Sequence, residues 1–202
     1  MEEAIRKADG EIARLAGALV FRPVSRRTKE DFVALFERPG TQRQCWCMVW
    51  RATKEEGRST IPAVRREQML RRIDQGTTVG LLGYDSDEPV AWVSIAPKET
   101  YNKLGGPDPV EGEIVWSLAC MILRPTHRHR GLAYELIAAA VELATRNGAT
   151  IVEAYPVDPE SPSYRYMGFV PAFERAGFVE VQMAGSRRHV MRFHINSRTP
   201  SL

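Results

Sequence analysis

Cysteine is scarce in this chain. Cys45, Cys47 and Cys120 are the three in 202 residues, an odd number that makes no disulfide framework. A reducing cytoplasm is the compartment such usage implies. Cys45-x-Cys47 has no second ligand pair at zinc-like spacing, so no metal site is expected. No apolar run approaches the roughly 20 residues that cross a bilayer. The opening MEEAIRKADGEIARLAG lacks the basic-then-apolar order of a secretory signal. Charge of one sign is lacking too. The 28 basic and 25 acidic residues leave a net +3, too small an excess to imply a nucleic-acid partner. There is no internal repeat and no low-complexity tract.

What is present is ordinary globular material, 44% hydrophobic and 26% charged, in a chain long enough to bury one full core. Ile5, Ala8, Ile12 and Leu15 at near-helical spacing predict an N-terminal helical extension over 1–17. A single domain follows over 18–195, and 196–202 is a tail. Within the domain a short strand covers 18–22. A helix then starts at a capping-box-like Thr28 with Asp31 three residues on, and buries Phe32, Leu35 and Phe36. A second helix runs from Pro62 to Gly76. Strands at 78–84 and 89–95 form a hairpin across Asp85–Glu88, and 113–123 is an apolar strand covered on both faces. A long helix over 132–147, a strand at 150–155, a short helix at 171–176 and a hairpin of 178–183 with 190–195 complete the order. The fold class is α/β: one mixed central sheet of six to seven strands flanked by helices.

The informative stretch is Leu123-Arg-Pro-Thr-His-Arg-His-Arg-Gly-Leu-Ala133, where a buried strand runs through a basic turn into a helix. A helix N-terminus has N–H groups without intrahelical acceptors and carries partial positive charge, which suits phosphate. Gly131 lets backbone approach a ligand closely, and the surrounding His and Arg residues add charge. Arg128-His-Arg-Gly131-Leu-Ala133 resembles the R/Q-x-x-G-x-G/A pyrophosphate loop of the GCN5-related N-acetyltransferases (GNAT). Ala172-Phe-Glu-Arg-Ala-Gly-Phe178 resembles that family's aromatic-x-x-x-Gly-Phe helix-to-strand junction. The resemblance spans roughly 18–195 and is strongest over 113–181.

The resemblance implies a GNAT-type fold with splayed central strands, and acetyl-CoA as cosubstrate. It also implies a small-molecule amine acceptor acetylated by direct transfer in a ternary complex. The alternatives are another acyl-CoA, a protein or tRNA amine as acceptor, or a CoA-binding module without turnover. It places the pyrophosphate on Arg128, His129, Arg130, Gly131, Leu132 and Ala133, and the pantetheine arm along Met121, Ile122 and Leu123. The family's usual tyrosine acid falls at Phe173, which has no proton to give. A thiolate leaving group tolerates that loss, and the alternative is an acid from the preceding loop, Ser163, Tyr164 or Tyr166, each of which reads equally as a packing or turn residue. Candidates for the base are Glu113 and Glu153, although a glutamate inside the apolar stretch 151–155 reads equally as a salt-bridged one. Trp46, Trp50 and Tyr155 are candidate acceptor-pocket residues, with plain core as the other reading. Tyr101, Asp108, Asp158 and Glu160 lie on long loops that could meet a cationic amine. Cys120 reads as a buried small residue. A homodimer through the terminal hairpin or the N-terminal helix is one possible assembly.

Overall fold

The computed structural model describes residues 19–39, 44–102 and 104–195. The expected helix over 3–16 and the tail after Ile195 lie outside them. The strands are β1 (Val20–Pro23), β2 (Leu81–Asp85), β3 (Glu88–Pro97), β4 (Val115–Leu123), β5 (Ile151–Ala154), β6 (Val179–Ala184) and β7 (Arg188–His194). They form one seven-stranded sheet in the order β1-β2-β3-β4-β5-β7-β6. Every neighbouring pair is antiparallel except β4 with β5. Parallel strands need a long crossover, and the helix α3 (Leu132–Arg146) supplies it.

Three further helices, α1 (Lys29–Glu37), α2 (Pro62–Asp74) and α4 (Val170–Arg175), complete the layers. On one face of the sheet α3 buries Leu136, Ile137, Ala140 and Ala144 against Val93, Ile95 and Leu118. On the other, α1 and α2 bury Phe32, Leu35, Phe36, Met69 and Ile73 against Leu82, Trp92 and Ile122. The period-two alternation of β3 therefore sends Trp92 to one layer and Val93 to the other. Phe32 meets the Trp92 ring edge-on at 5.1 Å, and Trp46 stacks on Phe36 at 5.3 Å.

Two local expectations change. The capping box belongs to Ser25, one turn earlier than expected. The Ser25 hydroxyl accepts from the Arg27 N–H (3.3 Å), and Thr28 Oγ1 accepts from the Ser25 N–H (2.9 Å). With its side chain engaged there, Thr28 makes no cap for α1. The second change concerns β4. It is buried from Val115 to Ala119, but Cys120, Met121 and Leu123 are only partly covered. The cause is the shortness of β5, which ends at Ala154.

Candidate functional site

Pairing of β4 with β5 runs Val115–Ile151, Trp116–Val152, Ser117–Glu153 and Leu118–Ala154, and then stops. From Ala119 to Leu123 the β5 side of β4 has no strand partner, while its other side stays paired with β3. The β3 register shifts at the same level: Ser94 pairs with Cys120 and Ile95 with Leu118, leaving Ala119 as the extra residue. A bulge bends the strand and breaks its ladder locally. The sheet thus opens into a wedge at Ala119, with unpaired backbone along one wall.

That open edge runs into the basic turn. Arg124 and His127 fasten it to the preceding hairpin. Arg124 Nη1 pairs with Glu88 (2.5 Å), and His127 Nε2 lies 3.1 Å from Asp85 Oδ2. Arg128 Nε donates to the Leu123 carbonyl (3.2 Å). His129 and Gly131 both take positive φ, 60° and 77°, a conformation natural to glycine and costly elsewhere. Gly131 is the N-cap of α3 and provides no side-chain cap. A Cβ built on it meets nothing within 4 Å, so open space lies over this backbone. Among the described residues, the N–H groups of residues 129–133 donate no hydrogen bond to protein. Arg130 and His129 are exposed beside them. A concave set of free N–H groups at the start of a 15-residue helix is chemically suited to an oxyanion such as a pyrophosphate.

A cavity of about 150 Å³ sits at the bulge, with Ser94, Ala119 and Cys120 on its wall. Trp50, Tyr164 and Tyr166 line it as well, together with the thiols of Cys45 and Cys47. No charged side chain lines it. Burial pushes the Cys45 thiol up. The Cys120 thiol and then burial push Cys47 up further, so both remain neutral. Behind the cavity lies Arg51, 2% exposed. Its Nη2 donates to the Val79 carbonyl (2.8 Å), to Ser94 Oγ (3.0 Å) and to the Tyr101 hydroxyl, and its guanidinium lies 4.0 Å from the Tyr101 ring centroid. Tyr101 itself lines the cavity. Among the described residues Arg51 has no carboxylate partner.

Glu153 and Tyr155 belong to a different arrangement. Glu153 is wholly buried. It accepts from Lys98 Nζ (2.8 Å), Arg192 Nε (2.7 Å) and the Tyr155 hydroxyl (2.6 Å). With the Tyr155 proton directed there, Ser117 Oγ (2.9 Å) donates to the phenol oxygen. Burial, then the Glu153 charge, raises the Tyr155 pKa far above its ordinary range. Gly106, at φ 88°, passes so close that a Cβ would sit 2.4 Å from Glu153 Oε1. Glu113 joins through Arg192 Nη1 (3.4 Å) and accepts from the Val110 N–H (3.1 Å). Neither Glu113 nor Glu153 lines the cavity. The two glutamates expected as bases are brought together in one ion cluster, in which Lys98, Arg192 and Tyr155 take up Glu153 while Glu113 is held through Oε2.

Of the expected acceptor residues, Trp50 lines the cavity, whereas Trp46 is 4% exposed within the Phe32–Phe36 core and Tyr155 is held in the Glu153 cluster. Cys120 is half-buried on the cavity wall rather than fully enclosed, because the β5 side of β4 is open there. Phe173 is fully buried, edge-on to Phe178 at 5.2 Å. Asp158 is taken up by His189 (3.3 Å). Asp108 and Glu160 are exposed and do not line the cavity. Arg51 and Arg188 were not signalled by spacing or motif. Only the bonding of the first and the ring contacts of the second single them out. Among the described residues no group of three His, Cys, Asp or Glu side chains could hold a metal, and no helix is long and apolar enough to cross a membrane.

This geometry is that of an acetyltransferase fold, and the chain belongs to the acetyltransferase (GNAT) family, whose model matches residues 41–169. Solved structures share its fold at low identity. The GNAT domain of S. lividans PAT has a TM-score of 0.55 at 17% identity, covering 92% of this chain and 96% of that one. AAC(6')-Ib, solved with Parmomycin and AcetylCoA, has a TM-score of 0.53 at 18% identity, covering 91% and 99%. The NatC complex bound to Gag peptide and CoA gives 0.53 at 12% identity, covering 89% and 99%. No curated protein matches the sequence.

Proposed function

We propose that this chain transfers the acetyl group of acetyl-CoA to the amine of a small-molecule acceptor, with both bound at once in a domain spanning 18–195. The observation that carries this reading is a single continuous feature. The unpaired edge of β4 at 119–123 leads at one end to the free N–H groups of 129–133 and borders, at the Ala119 bulge, the cavity.

The N–H groups from His129 to Ala133 would hold the pyrophosphate, with the side chains of Arg128, His129 and Arg130 adding charge; the Arg128 N–H, expected in this set, is taken by the Pro125 carbonyl (3.3 Å). The open edge at Met121, Ile122 and Leu123 would take the pantetheine arm as a strand takes a neighbour. When bound, acetyl-CoA supplies the acyl group as a thioester. The chain's own contribution is alignment, a water-poor cavity and backbone dipoles at the bulge. Phe173 offers no acid, and a thiol of ordinary acidity needs none to leave. The cavity has no carboxylate or imidazole on its wall, so the acceptor amine sheds its proton to water rather than to a fixed base.

Calorimetry with acetyl-CoA on the wild type and on Gly131→Glu tests the reading. The substitution sets an anion in the open space over Gly131. Micromolar binding by the wild type and none by the folded variant is the expected result. A wild type that binds neither acetyl-CoA nor CoA overturns it.

A further inference from the structure

The charge around the cavity says what kind of amine it takes. Its wall is apolar, aromatic and thiol, with no carboxylate. The charged groups that touch its wall residues are both guanidinium. Arg51 lies behind Ser94 and Tyr101. Arg188 lies over two rings of the wall, its Cζ 4.7 Å from the Trp50 centroid and 5.4 Å from that of Tyr164. Arg188 Nη1 donates to the Leu104 carbonyl (2.5 Å). Among the described residues its Nε and Nη2 donate to no protein acceptor, so one edge of a held, planar donor remains available. The nearby carboxylates are spoken for: Glu153 by Lys98 and Arg192, Asp158 and Glu180 by His189.

A polycationic acceptor would lose its water here without gaining a counter-charge, which is costly. An acceptor that brings its own carboxylate gains one. The volume adds a second constraint, since a cavity of this size holds about one benzene ring.

We infer, on the basis of the acetyl transfer proposed above, that the acceptor is a free amino acid with an apolar side chain of about ring size. Its side chain enters the cavity beside the Trp50 and Tyr164 rings, which lie against each other at 6.1 Å between centroids, and its carboxylate pairs with the free edge of Arg188. Its α-amine is thereby left at the open edge of β4. There the amine nitrogen forms a bond to the acetyl carbon as the carbon–sulfur bond breaks. The proton lost by the amine is balanced by one gained by the thiolate, giving an N-acetyl amino acid and free CoA. Arg188 is the specificity-determining residue, because guanidinium recognises a carboxylate in a fixed fork.

Thiol release from acetyl-CoA, followed with phenylalanine, leucine and methionine, with their amides, and with spermidine and kanamycin, tests this on the full chain. Phenylalanine amide keeps the ring and removes the carboxylate charge, and because it also lowers the pKa of the amine the rates are compared per unprotonated amine. The expected result is a kcat/KM for phenylalanine at least about tenfold above its amide, the scale of one charged hydrogen-bonded contact. Arg188→Gln should bring that acid-to-amide ratio close to one. Calorimetry confirms that the variant still binds acetyl-CoA and is folded. The inference is overturned if the amide matches the acid, if spermidine or kanamycin is the better acceptor, or if Arg188→Gln keeps the ratio. It is also overturned if acetyl-CoA binds and no amino acid is acetylated. If acetyl-CoA does not bind at all, the proposed function fails first and this inference falls with it.

Discussion

Among the described residues two arginines are almost completely buried, and they are treated differently. Arg192, 7% exposed, meets two carboxylates, Glu153 and Glu113. Arg51, 2% exposed, meets a carbonyl, three hydroxyls and an aromatic ring. The first stands where β4 and β5 are paired, the second behind the bulge where they part. Buried charge is normally neutralised by a partner. The paired half of the wedge follows that rule and is locked. The open half departs from it and keeps an excess of positive charge next to its cavity. On the function proposed above, stability and specificity fall to opposite ends of the same pair of strands.

The largest effect should come from unlocking the paired half. Glu153→Ala leaves Lys98 and Arg192 without their shared carboxylate and Tyr155 without its acceptor. A buried pair broken on one side costs about 3–5 kcal/mol. In urea unfolding the midpoint should fall accordingly. A loss under 1 kcal/mol, or a folded variant that loses only activity, would show that Glu153 serves the reaction rather than the sheet.

The open half makes the opposite kind of prediction. With no carboxylate or imidazole on the cavity wall, kcat/KM should climb about tenfold per pH unit below the pKa of the acceptor amine. Changing the acceptor should move the break in the profile to the new amine's pKa. A break fixed near pH 4–6 for every acceptor would reveal an enzyme carboxylate base.

Arg51→Met sharpens the comparison at smaller scale. The variant loses hydrogen bonds to Val79, Ser94, Thr100 and Tyr101 but also loses a desolvated charge with no opposite partner. A net cost of about 1–2 kcal/mol is expected. If it costs as much as Glu153→Ala, the two arginines are structural equals and the contrast between the halves fails.

How much of this could be read from the sequence depended on the range of the interaction. The Leu123–Ala133 stretch was legible because strand, turn and helix cap are adjacent residues whose backbone needs show in residue type. The strand–helix order was legible for the same reason, with ends shifted by one to three residues where no cap marked them. Glu153 was ambiguous as a lone carboxylate in an apolar strand. Its partners Lys98 and Arg192 lie 55 and 39 residues away, a distance no local pattern reports. Trp46 and Trp50 are four residues apart in one aromatic run, yet one packs on Phe36 and the other faces the cavity. Backbone at positive φ at Trp46 and Cys47, 47° and 53°, makes that division, and neither residue type announces it. Arg188 reads as one more surface arginine until the rings of Trp50 and Tyr164 are seen beneath it.

The smallest expected effect tests how the open half is anchored. Arg72 Nη2 donates to Glu56 Oε2 (2.6 Å) and to the Arg51 carbonyl (3.3 Å), so this pair fixes the backbone that carries the buried cation. The hydrogen bond from Arg72 holds the Glu56 carboxyl at about 2, below its ordinary 4.5. A folded-state pKa below the unfolded value stabilises the protein fully above the unfolded value, and the gain is lost as pH falls from about 4.5 through about 2. Glu56 is 21% exposed, so solvent screening reduces the contribution to about 1 kcal/mol. Urea unfolding of the wild type and Glu56→Gln should differ by that amount at pH 6 and converge towards pH 3. If the difference is unchanged at pH 3, Glu56 acts through packing at the Arg51 backbone rather than through its charge, and the anchor of the open half is not electrostatic.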